Sequence, residues 1–152
     1  MSHFELPSFV HYCPEHHMWA RPEDDGLVTV GVAAPLREVL WHAPEVEVWA
    51  VDRVERHSTL ATAGGRDGNR VALVSPLSGT LVEVNPLMEI APHALISQPY
   101  TRGWVARIHP RNWEGDAAPL LTGSSGAAAY RDLLERTLAR GRPVAFASVL
   151  LA

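Results

Sequence analysis

The sequence predicts a mainly β domain with a short internal helix and a C-terminal helix. Three observations carry this. The 12 prolines and 11 glycines among 152 residues punctuate the first two-thirds so often that no long helix can run through it. Short β-branched, apolar runs alternate with turn signals, the pattern of a small barrel or sandwich. Only Gly126 to Arg140 (GAAAYRDLLERTLAR) carries a full helical stripe, with Tyr130, Leu133, Leu134, Thr137 and Leu138 on one side and Gly141 as its stop. A composition of 47% hydrophobic and 20% charged residues is that of a folded soluble chain, and the length fits one domain.

Taken in order, Leu27 to Val32 (LVTVGV) follows the Glu23-Asp24-Asp25-Gly26 turn signal and reads as a strand. Leu36 to Leu40 (LREVL) follows Pro35 at a first-turn position, and its apolar spacing predicts a short amphipathic helix. Val46, Val48, Val51 and Val54 predict one or two strands with a bend. The stretch from Ala63 to Asn69 (AGGRDGN) lies between Leu60 and the β-rich Val71 to Val74, and predicts a hairpin whose tip is near Asp67, Gly68 and Asn69. Ser75-Pro76-Leu77-Ser78-Gly79 makes a turn. Thr80 to Val84 (TLVEV) and Trp104 to Ile108 (WVARI) then alternate as half-buried strands. The final Pro143 to Ala152 segment reads as a closing strand or a docked tail.

Composition also excludes chemistry. All 13 basic residues are arginine, so no lysine is present to form a Schiff base, act as a general base or tether a cofactor through its amine. Thirteen basic residues against 17 acidic ones, without a basic cluster, give no footprint for nucleic acid or an anionic membrane. The single Cys13 allows no internal disulfide and fits a reducing compartment. The start, MSHFELPSF, has no signal-peptide pattern, and the C-terminal AFASVLLA is too short to span a bilayer. A cytoplasmic location is the expectation. No GxSxG elbow is present, and GGRDGN lacks the lysine and the strand-to-helix setting of a phosphate loop. No catalytic constellation emerges, so the chain is not expected to be an enzyme.

Five blocks carry a family likeness: Tyr12…Glu15-His16…Trp19, then VTVGV, then LREVL, then SPLSGTLVEVNPL, then QPYTRGWVARIHP. In the family's order and at nearly its spacing, they resemble the glycine cleavage system H protein family, and AAYRDLLE resembles that family's closing helix. The resemblance implies a barrel-sandwich hybrid of the biotinyl/lipoyl type. It sets residues 1–10 apart as an N-terminal extension, 11–140 as the lipoyl-type domain with its helix over 126–140, and 141–152 as a tail. It also implies a carrier that serves lipoyl-handling and glycine-cleavage enzymes through a lipoyl arm. In that family the arm is attached to a lysine at the hairpin tip, in a motif like ESVKAASD, seven residues before the SP turn. Here that position is Gly68. A guanidinium cannot replace the missing amine, because it stays protonated and is a poor nucleophile. The resemblance therefore implies an H-protein-like module that carries no lipoate and no other cofactor and acts as an adaptor through protein contacts. Its contact residues would be Arg66, Asp67, Asn69 and Arg70 on the tip. Trp41 and Trp49 join them, because they stand where the family tends to have Gly and Pro.

A second reading starts from the eight histidines. In HYCPEHH, His11, Cys13, His16 and His17 crowd one short window, and imidazole and thiolate suit zinc or copper. No paired CxxC or HExxH spacing supports them. The plainer reading is packing for these histidines and burial as a small apolar group for Cys13. His42, His57, His93 and His109 are scattered and carry no local signal.

Overall fold

The structure, a computed structural model, describes residues 4–42 and 44–139. Arg140, the last residue of the predicted helix, and the 141–152 tail lie outside the described residues, as do the first three residues of the extension.

The strands are β1 (His11–Cys13), β2 (Met18–Pro22), β3 (Val28–Val32), β4 (Val46–Val48), β5 (Arg53–Val54), β6 (Thr59–Gly64), β7 (Arg70–Val74), β8 (Gly79–Val84) and β9 (Ala106–Pro110). The helices are α1 (Leu87–Ile90), α2 (Ala94–Ser97), α3 (Trp113–Ala117) and α4 (Gly123–Ala139). One sheet has six strands in the order β1-β2-β3-β9-β8-β5, and the other has three in the order β4-β6-β7. The pairings are antiparallel throughout. Both sheets contribute to a single core, Val28, Val30, Val32 and Ile108 from the first and Leu60, Ala61, Val71 and Leu73 from the second. This is the mainly β, barrel-sandwich architecture that the sequence predicts.

All five residues of β3 are buried, which explains why LVTVGV runs apolar instead of alternating. Its one hydroxyl is satisfied, since Thr29 Oγ1 donates to Glu23 Oε2 at 2.6 Å. Gly31 is the seat of Trp19: a Cβ there would come within 2.6 Å of the indole. The indole is fully buried and donates from Nε1 to the Pro99 carbonyl at 3.0 Å.

Local details differ from the periodicity. The predicted Leu36–Leu40 helix is a 3-10 helix over Ala34–Glu38, closed by i to i+3 bonds from Leu36 N to Ala33 O and from Val39 N to Leu36 O. Proline near its first position and burial of Leu36 fix this tighter turn. The alternation of Thr80–Val84 is broken by a bulge between Leu81 and Glu83, where the register slips and Val82 turns outward to 54% exposure. Helix α4 starts three residues earlier than predicted, at Gly123, whose φ of +72° sets the turn into it. Its buried face is Tyr130 and Leu134, whereas Leu133 of the predicted stripe is 41% exposed. Residues 4–10, set apart in the sequence, are sewn into the domain: Leu6 and Val10 are buried, Tyr100 Oη donates to Glu5 O at 2.7 Å, and Arg131 donates to Phe4 O at 3.2 Å.

Candidate functional site

The predicted hairpin is β6–β7, with Ala63 opposite Val71 and Gly64 opposite Arg70. Its tip closes through Gly65 N to Asn69 O at 2.8 Å and Gly68 N to Gly65 O at 3.2 Å. Gly68 has φ +88°, and a Cβ built on it would meet nothing within 4 Å, so the tip is open and left-handed. The Asp-Gly-Asn signal produces this turn: Asp67 Oδ1 accepts from Asn69 N at 3.0 Å, and the positive φ falls on the glycine.

The four polar tip residues do not project alike. Arg66 is exposed, yet its backbone N donates to Val39 O at 2.9 Å and its Nε to Leu40 O at 3.2 Å, tying the finger to the segment after the 3-10 helix. Arg70 turns back across the hairpin onto the buried Thr62, donating to its Oγ1 at 2.9 and 3.2 Å and to its carbonyl at 3.0 Å. Asp67 and Asn69 bond to each other and face solvent. Trp41, 47% exposed, is held beside the finger by its backbone N, which donates to Gly64 O at 2.9 Å. Together with Glu45, Gly64, Arg66, Gly68 and Arg70 it lines an open hollow of about 490 Å³. Trp49 is also half exposed, but its indole donates to Glu47 on β4 at 2.9 Å and takes no part in that hollow. Glu45 is a lining residue that the sequence reading passes over.

The histidine window is distributed among different environments. His17, at φ +55°, is buried under α4 with Nδ1 bonded to the Tyr130 hydroxyl. Burial, and then the neighbouring His16, pushes its pKa down to about 4. Burial raises that of Tyr130 well above the ordinary range. Both groups are thus held neutral, and the bond between them joins a neutral imidazole to a neutral phenol. Cys13 is buried, and burial pushes its thiol pKa up, which disfavours the reactive thiolate. His11 packs edge-on against Trp113 at 5.1 Å and is lowered by burial. His16 is lowered by burial and by His57, whose ring lies 5.5 Å away. The four predicted ligands therefore do not form one set. Among the described residues, the group of His, Cys, Asp and Glu side chains that converges is Glu15, His16 and His57, with ligand atoms within 4.8 Å of one another. His57 escapes sequence reasoning because it comes from a separate turn.

The match to known proteins fits this geometry. The family model described as Glycine cleavage H-protein matches residues 10–133. The chain belongs to the glycine cleavage H-protein family. Glycine cleavage system H protein 2 of Pseudomonas syringae pv. tomato is 35% identical over 107 residues, covering 70% of this chain and 83% of that protein. The glycine cleavage system H protein of Laribacter hongkongensis is 34% identical over 127 residues, covering 82% and 94% respectively. The crystal structure of the glycine cleavage system H protein from Mycobacterium marinum superposes with a TM-score of 0.67 at 24% identity, over 83% of this chain and 98% of that one. That likeness speaks for the fold. Among the described residues of this H-protein-family chain, no helix is long and apolar enough to cross a membrane.

Proposed function

We propose that this chain is an H-protein-type module without a lipoyl arm, which performs no chemistry of its own and docks onto lipoyl-handling or glycine-cleavage-type enzymes. The observation that carries the reading is the hairpin tip: Gly68 stands where the family resemblance expects the modified lysine, and the whole sequence contains no lysine. A lipoyl amide requires a primary amine on a free stem, and the two flanking guanidinia are bonded back onto Leu40 and Thr62. What the tip presents to a partner is Asp67, Asn69 and the outer edge of Arg66, with Trp41 as an aromatic anchor beside them. A half-exposed indole next to a polar finger is the composition of a protein contact.

The test is twofold. Purified chain is incubated with lipoate, ATP and a lipoate ligase beside an ordinary H protein, and both are weighed by intact-mass spectrometry. The expected result is an adduct on the ordinary H protein and none on this chain. In parallel, the tagged chain is used to capture glycine decarboxylase, aminomethyltransferase and lipoate ligase from its host. Retention of at least one is expected, with weaker retention by Trp41→Ala. A lipoyl adduct on this chain, or failure to retain any of the three, overturns the reading.

A further inference from the structure

At the other end of the same hairpin lies the histidine and carboxylate group. We propose that Glu15, His16 and His57 form a site for a borderline divalent cation of the zinc class.

Both turns that supply the ligands are fixed by their backbones. Glu15 and His16 sit in the β1–β2 turn, where His16 N donates to Cys13 O at 3.3 Å. His57 sits in the β5–β6 turn, where its N donates to Ser75 O at 2.8 Å and Ser58 N donates to Glu55 O at 3.1 Å. Arg56 N is held on Ser78 Oγ at 2.8 Å. His57 has φ +69°, a left-handed conformation that histidine adopts more readily than most residues, although still at some cost. The strand order puts β1 and β5 at opposite edges of the six-stranded sheet, so these turns meet only because the sheet curls round. A cation held between them would clasp the two edges.

The donor set selects the ion. Two imidazoles and one carboxylate suit zinc and its neighbours, whereas calcium and magnesium demand oxygen ligands. Metal–ligand distances of about 2.0–2.2 Å place tetrahedral donors roughly 3.3 Å apart. The present separations, within 4.8 Å, close to that value by rotation of the exposed Glu15 and His57 against the half-buried His16. Three protein ligands leave one position of a four-coordinate ion for water. The rings of His16 and His57 are inclined at 62°, so they are not stacked face to face.

One cation already faces the group. Arg56 Nε donates to His57 Nε2 at 3.3 Å, and its Nη1 lies 3.9 Å from Asp116 Oδ1. Ligation through His57 Nε2 would require the guanidinium to leave the imidazole, with Asp116 as its remaining partner, whereas ligation through Nδ1 leaves that bond in place. β6 has six residues, so the site lies about 20 Å from the tip, and it stands or falls independently of the docking face.

The experiment uses the full chain without a histidine tag, stripped with a chelator. Co2+ is titrated by visible absorption and Zn2+ by calorimetry, on wild type, His57→Asn, Glu15→Gln and His11→Ala. Asparagine keeps the left-handed turn, so His57→Asn preserves the fold. The expected result is one equivalent bound with low-symmetry Co2+ absorption, affinity reduced tenfold or more by His57→Asn and several-fold by Glu15→Gln, and no change with His11→Ala. Absence of stoichiometric binding at millimolar Zn2+, or equal affinity of wild type, His57→Asn and Glu15→Gln, overturns the proposal.

Discussion

Two glycines separate the part of this molecule that is fixed by packing from the part that is not. At Gly79, where β8 begins, an added Cβ would lie 2.1 Å from the His109 carbonyl oxygen on β9. At Gly68, on the hairpin tip, it would meet nothing within 4 Å. The first position has no freedom, because the backbones of two paired strands meet there. The second meets no neighbouring atom, so the demand on it is conformational alone, a φ of +88° that glycine adopts without strain. Packing thus fixes the first glycine and turn geometry the second, so the proposed absence of a lipoyl arm rests on the chemistry of the tip and not on its packing.

The comparison breaks most visibly at the packed end. Trp19→Ala removes a fully buried indole seated on Gly31, leaves the Pro99 carbonyl without its donor, and is expected to cost about 4 kcal/mol. Urea denaturation reads this directly, and a loss below about 1 kcal/mol would show that the core repacks around the cavity. Gly79→Ala follows, at about 3 kcal/mol or more, since neither strand can move without breaking the ladder.

Acid sharpens the same contrast. The pKa of His17 is held down to about 4, below its ordinary value of 6.5, so between those values the unfolded chain binds a proton that the folded chain refuses. Stability is fully present above pH 6.5 and falls as the pH drops toward 4, by on the order of 2–3 kcal/mol from this group. Burial of His16 and His11 acts in the same direction. Denaturation curves at pH 7 and pH 5 should show this loss in wild type and a smaller one in His17→Gln; equal losses would remove His17 as a source.

Much of this division was legible in the sequence. Turn chemistry located the tip, because Asp-Gly-Asn dictates its own local bonds, and apolar runs located β3 and the hairpin strands. The bulge at Val82 and the 3-10 form of Ala34–Glu38 were not legible, since both depend on which neighbouring strand or core residue meets the chain. The histidine group was only half legible. Glu15 and His16 are adjacent, but His57 joins them through sheet curvature, which no local pattern encodes. The short window overstated the cluster, because each side chain is claimed by a different neighbour brought in by the fold: His11 by Trp113, Cys13 by the core and His17 by the Tyr130 hydroxyl.

A smaller effect is expected at the tip. Gly68→Lys places a side chain in open space but at φ +88°, and should cost about 1 kcal/mol. It also returns an amine to the position where the family expects one. Intact mass after incubation with lipoate ligase is expected to show an adduct on this variant and none on wild type. An unmodified variant would mean that the flanking Arg66, Asp67, Asn69 and Arg70 block the enzyme as well.

The smallest effect on stability is the most informative about the surface. Trp41 is 47% exposed and its anchoring bond comes from its backbone, so Trp41→Ala keeps the link to Gly64 and removes only the ring. Its stability change should stay within about 0.5 kcal/mol, the range for surface positions. A docked indole in a contact centre, by contrast, contributes about 2 kcal/mol or more to binding, which is a thirtyfold weakening when it is removed. Stability and partner affinity measured on one variant therefore separate the two roles. A large loss of stability would make Trp41 part of the fold, whereas intact stability with lost capture would make the hollow beside Gly68 the face that partners touch.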